Sequence, residues 1–584
     1  MMWIPPFSSE RCDANHCFQG YIEDSSPAEP NVGFSAVGMG KGGGESIDDL
    51  SLNYEVYPLS SNENASSFPL LNNQWFSEHM EIENAQFQAA SSTDQPLERL
   101  PAIDHNLERS ISEILELLEP DEMALPPFFS TLDFSSNGQS IYHEVDTIEG
   151  AGSELSTEEV MRVAALHFIQ LFPHVLGDPT ILRLPFGLSH SDLTGIEIKN
   201  IDLATLLLAA AEKVSIQQYD RASNLLHQCY RLSSKYGHPV QRIVYSFSEA
   251  LQERIDRETG KNAQNDSKEF GNLKVQEVIK DIHANQAIHL TMHYSLPFLQ
   301  ILQFTAIQAI LDNITSRKRI HMIDLSIQHG LQWTVLMQEL ATRTLSRIDS
   351  LKISAVTSSS EVVAATSKRL STFAASLNLP FEFRTVIVPD MKDLREDMFE
   401  LKEGEAVGVY SSLHMSGLIV KPESLENLMK VIQMLKPCVV TVIDVEAKHN
   451  SKSFINRFTE ALFYFSALFD CLDTLIERND VKRIMLEGIF HAQAIRNIIA
   501  TEGDERVVRH VGISVWRDFF MRFGLVEAEL SEWSLYKGSI LLKEFPNSGD
   551  SCTLEKNGKS LFIGWKGTPM NFVSAWKFKK RRGR

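Results

Sequence analysis

Apolar residues recur at helical spacing from Ser156 to Leu171 and again from Ile201 to Ile255. Leu203, Leu206, Leu207, Ala210 and Val214 make one stripe, Ala222, Leu225, Leu226 and Cys229 a second, and Ile243, Phe247, Ala250 and Leu251 a third. Three consecutive amphipathic helices need neighbours to cover those stripes, which predicts a helical subdomain. Leu296 to Ile314 is apolar enough to suggest a membrane span, but Pro297, Gln300, Gln303, Gln308 and Asp312 interrupt it, so it reads as a core helix. At Ile320 the pattern changes. Ile320 to Ile323 form a short apolar run ending in Asp324, the signature of a buried parallel strand with a carboxylate where strand gives way to loop. Trp333, Leu336, Met337 and Leu340 then mark one buried face of a helix. Strand-like runs (Leu351 to Val356, Phe383 to Val388, Ala406 to Ser411, Cys438 to Val445) alternate with helical ones (Glu361 to Leu377, Leu425 to Leu435, Phe454 to Leu475). That alternation predicts parallel strands joined by crossovers. Ser539 to Leu542 and Leu561 to Trp565 read as further strands, expected to pair antiparallel near the sheet edge.

Charge divides the chain. Residues 1–150 carry 26 Asp and Glu against 4 Lys and Arg, whereas the rest holds 50 acids and 51 bases. The acidic segment is also rich in Ser, Asn, Gly and Pro, and is expected to be largely disordered because it cannot bury enough apolar surface to offset chain entropy. Within it, Leu107, Ile111, Ile114, Leu115 and Leu118 fall at helical spacing among Glu108, Glu113, Glu116 and Glu119. Ile114 to Leu118 is an isoleucine variant of an LxxLL docking helix, read equally well as a transient solvated helix. Phe128, Phe129, Leu132 and Phe134 lie close to Asp121, Glu122 and Asp133, a mixture typical of activation segments. Six scattered cysteines fit a reducing compartment and no disulfide framework. Cys12, His16 and Cys17 lack a second ligand pair at zinc spacing, so no metal is expected.

Catalytic signatures are weak. The connection after Asp324 offers one glycine, Gly330, where a dinucleotide site needs a run such as G-x-G-x-x-G. The second strand ends in Val356-Thr357-Ser358-Ser359-Ser360, without the acid that holds a cofactor ribose, although Glu361 is near. Gly187 to Ser191 lacks the second glycine of a nucleophile elbow, and Gly40-Lys41 lacks a phosphate loop. His321 is expected to be a hydrogen-bonded core histidine, and Asp324 to accept from backbone amides of the next loop and helix. No zinc finger, basic zipper or helix-turn-helix appears, so DNA contact is expected to be indirect or weak. At the end, Lys579, Lys580, Arg581 and Arg582 make a basic tail read first as a nuclear-import signal, then as a phosphate-contacting or merely solvated tail. Arg317-Lys318-Arg319 is expected to complement the end of the preceding helix.

Ile320-His321-Met322-Ile323-Asp324 with Gly330-Leu331-Gln332-Trp333 resembles the VHIID block of the GRAS family of plant transcriptional regulators, and Ser574-Ala575-Trp576 resembles its closing SAW block. Arg457-Phe458, Glu460 to Leu462 and Phe465 to Asp470 resemble the PFYRE region. Arg506 to His510 and Trp516-Arg517 resemble the RVER and W-R elements, with Val508 where Glu is usual. Leu206 to Glu212 is similar to the first leucine-rich region, with Gly237-His238-Pro239 in place of Gly-Asp-Pro. Phe304 to Leu311 resembles F-T-A-N-Q-A-I-L, and the helix from Val362 to Leu377 corresponds to the second leucine-rich region. Ser326 makes the VHIID block look like that of the DELLA branch, but residues 1–150 contain no DELLA or TVHYNP string, so direct sensing by a gibberellin receptor is not expected.

The resemblance implies an α/β fold with a Rossmann-like, methyltransferase-like core. The expected layout is a disordered acidic region at 1–150, a GRAS domain at 151–578 and a basic tail at 579–584. A helical cap is expected at about 156–315 and the α/β core at about 316–578. It further implies a nuclear regulator, not an enzyme, with no cofactor, that contacts other GRAS proteins and DNA-bound transcription factors and no membrane. Leu203, Leu206, Leu207, Asp324 and Trp333 are the residues expected to maintain the partner surface. Arg506, Arg509, Trp516, Trp565 and Trp576 are expected to hold the C-terminal region together. A methyl-transferring or small-molecule-binding enzyme on the same sheet, and a sequence-specific DNA binder, are the alternatives.

Overall fold

A computed structural model describes residues 155–170, 193–261, 292–342, 347–478, 480–545 and 551–579. The acidic region, the helix expected at 107–118, the Cys12/Cys17 pair and Lys580, Arg581 and Arg582 lie outside the described residues.

The first four helices are α1 (Thr157–Gln170), α2 (Gly195–Ser215), α3 (Tyr219–Leu232) and α4 (Pro239–Glu258). α2 starts at a capping box: the Glu197 amide donates to Thr194 Oγ1 (3.2 Å), and the Thr194 amide donates to Glu197 Oε2 (2.7 Å). α4 starts at His238, whose Nδ1 accepts from the Val240 amide (3.3 Å), with Pro239 at the first helical position. Histidine thus supplies the acceptor at this N-cap, a place usually taken by Ser, Thr, Asp or Asn.

The chain continues through α5 (Pro297–Asn313), β1 (Arg319–Asp324), α6 (Leu331–Ala341), β2 (Ser350–Thr357), α7 (Ser360–Ser376), β3 (Phe381–Ile387), β4 (Ala406–Ser412), α8 (Pro422–Leu435), β5 (Val439–Val445) and α9 (Phe454–Leu475). A short α10 (Val481–Met485) passes through a π-helical turn, Leu486–His491, into α11 (Ala492–Ala500). Last come α12 (Ile513–Arg522), β6 (Leu525–Ala528), α13 (Glu532–Glu544), β7 (Cys552–Asn557), β8 (Ser560–Trp565) and β9 (Thr568–Phe578).

The strands form one sheet of order β3-β2-β1-β4-β5-β9-β8-β7, with β6 also paired to β9. β1 to β5 are parallel, and β9 runs antiparallel to β5, with Val440 opposite Trp576. This order places β1 at the point where the winding reverses, the Rossmann-like arrangement. Both sides of the sheet are covered. Ile323, Val409 and Val442 pack in one cluster with Leu428 and Ile432 of α8 and Trp516 and Phe520 of α12. α5, buried on nearly every side, contacts β5, β8 and β9 and packs against α6 and α13.

Two expectations need correction. Ser539 to Leu542 is not a strand; it lies in α13, capped by Ser531 and packed on α5. A four-residue apolar run does not distinguish buried strand from buried helix, and here Gly538 lets α13 approach Ile301 and Thr305 to 3.4 Å from its would-be Cβ. The helical layer also does not end near 315. α9 packs on α1, α2 and α4, α11 packs on α4, and α5 belongs to the sheet. The aromatic faces of α4 and α9 explain this: Phe247 meets Phe458 and Phe465 edge-on at 5.5 and 6.4 Å. No helix among the described residues is long and apolar enough to cross a membrane.

Candidate functional site

The crevice outside the carboxyl ends of β1 and β4 is where a sheet of this order places a ligand. At its base Asp324, fully buried, receives three donors: the Ser326 amide at 3.0 Å on Oδ1, and Gln332 Nε2 at 3.1 Å and Trp333 Nε1 at 2.8 Å on Oδ2. Burial pushes the Asp324 carboxyl up to about 6, against the pull of these bonds. Only one donor is a backbone amide, so the expectation of a cap made by amides holds in part. The first turn of α6 supplies the others as side chains. Trp333 is itself fully buried and meets Tyr410 of β4 edge-on at 5.3 Å.

The loop is closed by protein rather than shaped for phosphate. Ser326 Oγ donates to the Ser412 carbonyl (3.0 Å), Thr366 Oγ1 to the Gln328 carbonyl (2.6 Å), and the Leu331 amide to His329 Nδ1 (3.4 Å). Gly330 has φ +72°, and a Cβ there would lie 2.9 Å from Thr366 Cγ2 and 3.1 Å from Leu370 Cδ1. The glycine therefore serves the close approach of α7, in a conformation that L side chains rarely adopt. A nucleotide cofactor on this fold is cradled by a glycine-rich loop; here the loop has one glycine, taken up by the approach of α7, so the residues present do not fit that cradle. No group of three or more metal-capable side chains occurs among the described residues.

His321 lies on the strand with Nε2 2.8 Å from Ser354 Oγ and Nδ1 3.2 Å from Glu405. Burial lowers its pKa to about 4, which suits a neutral, hydrogen-bonded core residue. Leu203, Leu206 and Leu207 are buried inside the helical layer. They face neighbouring helices, not solvent.

The C-terminal candidates fall into three sets. Arg506 Nη1 donates to the His449 carbonyl (2.8 Å), and Arg509 donates to the Arg506 carbonyl (2.7 Å) and to Asn450 (3.3 Å), tying the segment before α12 to the end of β5. Burial holds the Arg506 guanidinium down at about 10. Trp516 stacks on Phe520, which meets Trp576 at 4.7 Å, and Trp576 Nε1 donates to Ser574 Oγ (2.9 Å). Trp565 stands apart on the other side, donating to Asp470 Oδ2 (2.7 Å). Asp470 also accepts from the Thr157 amide (3.1 Å) and pairs with Lys566 (2.8 Å), so one carboxylate joins α1, α9 and β8.

The sequence reading missed a charge network. Arg242 of α4 donates from Nη2 to Glu487 of the π-helical turn (3.1 Å) and forms an ion pair with Asp473 of α9 (3.0 Å), and Arg483 lies 3.3 and 3.5 Å from the same two carboxylates. Partners 245 residues apart leave no local period. The only hint is Arg242 on the apolar side of α4, beside Ile243.

Residues 203–577 match the GRAS domain family. DELLA protein GAI1 of Vitis vinifera is 31% identical over 407 residues, covering 68% of this chain and 65% of that protein. DELLA protein RGL3 of Arabidopsis thaliana is 31% identical over 385 residues, covering 65% of this chain and 70% of that one. The solved structure of SCL7 from Oryza sativa aligns with a TM-score of 0.56 at 27% identity, covering 64% of this chain and 99% of that one.

Proposed function

The chain belongs to the GRAS domain family of plant transcriptional regulators, and from that we propose that it is a nuclear regulator working through contacts with other GRAS proteins and with DNA-bound transcription factors. The observation that carries this reading is the loop after β1, where Asp324 is engaged by the side chains of α6 and the single glycine, Gly330, serves the approach of α7. In this reading Asp324 and Trp333 fix the shape of the loop, and Leu203, Leu206 and Leu207 support the outer face of the helical layer from beneath. Arg506, Arg509, Trp516, Trp565 and Trp576 keep the C-terminal segments in register with the sheet. Lys579 is exposed and begins the basic run expected to direct nuclear import.

The test is affinity capture of the full chain from plant nuclei, alongside calorimetry of the purified protein with S-adenosylmethionine. Copurifying transcription factors without a saturable heat of binding are expected. Saturable binding of the cofactor would replace this reading with an enzymatic one. Nuclear import is checked separately, by following a fluorescent fusion with and without residues 579–584; equal nuclear fractions would remove that part.

A further inference from the structure

The sheet is open at β3. This strand is outermost in the strand order and pairs only with β2, in parallel, with Leu351 opposite Phe381 and Thr357 opposite Ile387. The Leu351 amide donates to the Pro380 carbonyl and the Val388 amide to the Thr357 carbonyl (2.8 Å each). These bonds fix the parity: even-numbered residues of β3 turn their backbone groups toward β2, and odd-numbered ones turn theirs away. The amides and carbonyls of Phe381, Phe383, Thr385 and Ile387 therefore face outward, and they have no hydrogen-bond partner among the described residues. Phe381 and Phe383 are half-buried, and Ile387 is 53% exposed. A row of free backbone groups on a strand with apolar side chains is a template for another strand.

Charge decides which strand fits. Edge charges ordinarily deter pairing, but β3 carries one of each sign, Glu382 and Arg384, on the same face and on either side of Phe383. A two-fold axis through Phe383 sets Glu382 of each copy opposite Arg384 of the other, and Phe381 opposite Thr385. The outward-facing residues Phe381, Phe383 and Thr385 then become the hydrogen-bonded positions of an antiparallel ladder, each pair exchanging both of its bonds. An axis through Arg384 would set guanidinium against guanidinium, and one through Thr385 would leave Arg384 facing Val386. Within their own chain Glu382 and Arg384 pair with Lys402 and Glu400 at the surface, where such pairs contribute little. The opposite edge, β7, has no such match. The Lys566 amide donates to the Ser551 carbonyl (2.6 Å), so odd-numbered residues of β7 face β8 and even-numbered ones face outward. Glu555 and Lys556 therefore lie on opposite faces, and no two-fold ladder places one against the other.

We propose that two copies of this chain associate through β3, antiparallel and centred on Phe383, so that one sheet runs across the two-fold axis with Glu382 and Arg384 paired between copies. The contact is isologous, the same patch serving both copies. α7 packs on β2 and β3, so both copies of that helix flank the seam and add side-chain area that the strands alone lack. This inference deepens the reading above: it names the face used when the other GRAS protein is a second copy of this chain.

The experiment is sedimentation equilibrium of the full chain, with circular dichroism verifying that each variant is folded. A dimer is expected. Glu382→Arg alone, or Arg384→Glu alone, places like charges opposite each other at both ends of the seam and should raise the dissociation constant at least about tenfold. Mixing those two variants restores complementary pairs, so a heterodimer should form at near the original affinity, and the double reversal should again pair with itself. Neither recovery can come from Lys402 or Glu400, which then face like charges in their own chains. Thr385→Pro, which removes an outward amide and leaves the bonds to β2, should also shift the equilibrium to monomer. A monomer at every concentration, a dimer indifferent to the reversals, or single variants that stay apart when mixed would each overturn the proposal. Transcription factors captured from nuclei by a chain that stays monomeric would sink this inference alone, whereas an intact β3 dimer that captures none would sink only the reading above.

Discussion

Asp324 takes three donors with two oxygens, and an amide in its place offers one acceptor and one donor. Asp324→Asn is therefore expected to leave at least one buried N–H facing another, lowering stability by about 1–3 kcal/mol at neutral pH, read from denaturant unfolding. The pH dependence follows from the carboxyl lying near 6 in the fold, above its ordinary value of 3.8. Between those values the folded chain holds more of this proton than the unfolded chain, so this group adds stability as pH falls from above 6 toward 4. Asparagine lacks that gain, and the difference between the two proteins should widen on acidification; a narrowing difference would refute the assignment. Much of this residue was legible in advance. The apolar run gave the strand, its last position gave the carboxylate, and burial spacing gave Trp333 an inward face. The identity of the donors was not legible, because it depends on Gly330 turning left-handed and starting α6 at Leu331, so that two side chains of the first turn swing back over the strand end.

Among the elements, α2 and α4 carry the packing of the helical layer. Leu206 is fully buried, so Leu206→Ala should cost about 2–5 kcal/mol. Thermal unfolding measured together with partner capture distinguishes support from direct docking: support predicts that both fall, whereas capture lost at unchanged stability would make Leu206 a contact residue. Glu487→Gln removes the carboxylate between Arg242 and Arg483. Two buried guanidinium groups would then share Asp473, and unfolding is expected at a denaturant midpoint lowered by about 3–5 kcal/mol of stability. Helices with long stripes were predictable from period alone, as α9 illustrates. Ser539 to Leu542 was not, because burial on all sides removes the alternation that separates strand from helix. The charge network escaped for a different reason: its members come from α4, α9, α10 and the π-helical turn, and only tertiary packing makes them neighbours.

For the molecule as a whole, buried neutral histidines set the response to acid. Burial lowers His293 to about 3, His321 to about 4 and His491 to about 3, and moves His414 and His449 down as well. Each binds its proton more readily unfolded, so each contributes stability above pH 6.5 that is lost as pH falls toward the folded values. Per histidine the loss approaches about 1.4 kcal/mol per pH unit. Asp324, Glu446 with its carboxyl pushed up to about 7, and Glu158, Glu249, Glu487 and Glu555, whose carboxyls burial also raises, oppose this trend, each only once the pH has fallen to its folded value. The expected outcome is a thermal midpoint that declines below about pH 6; a flat midpoint from 7 to 5 would contradict it. Charge partition and the α/β alternation made the α/β class readable from sequence, but the assembly of the helical layer from two distant stretches was invisible to any local pattern. That assembly has a consequence during synthesis. Phe247 leaves the ribosome about 211 residues before Phe458, the ring it packs against. At roughly 5–20 residues per second, the greasy side of α4 waits on the order of 10–40 s for its cover, an interval in which a chaperone that shelters nascent helices would decide the yield of folded protein.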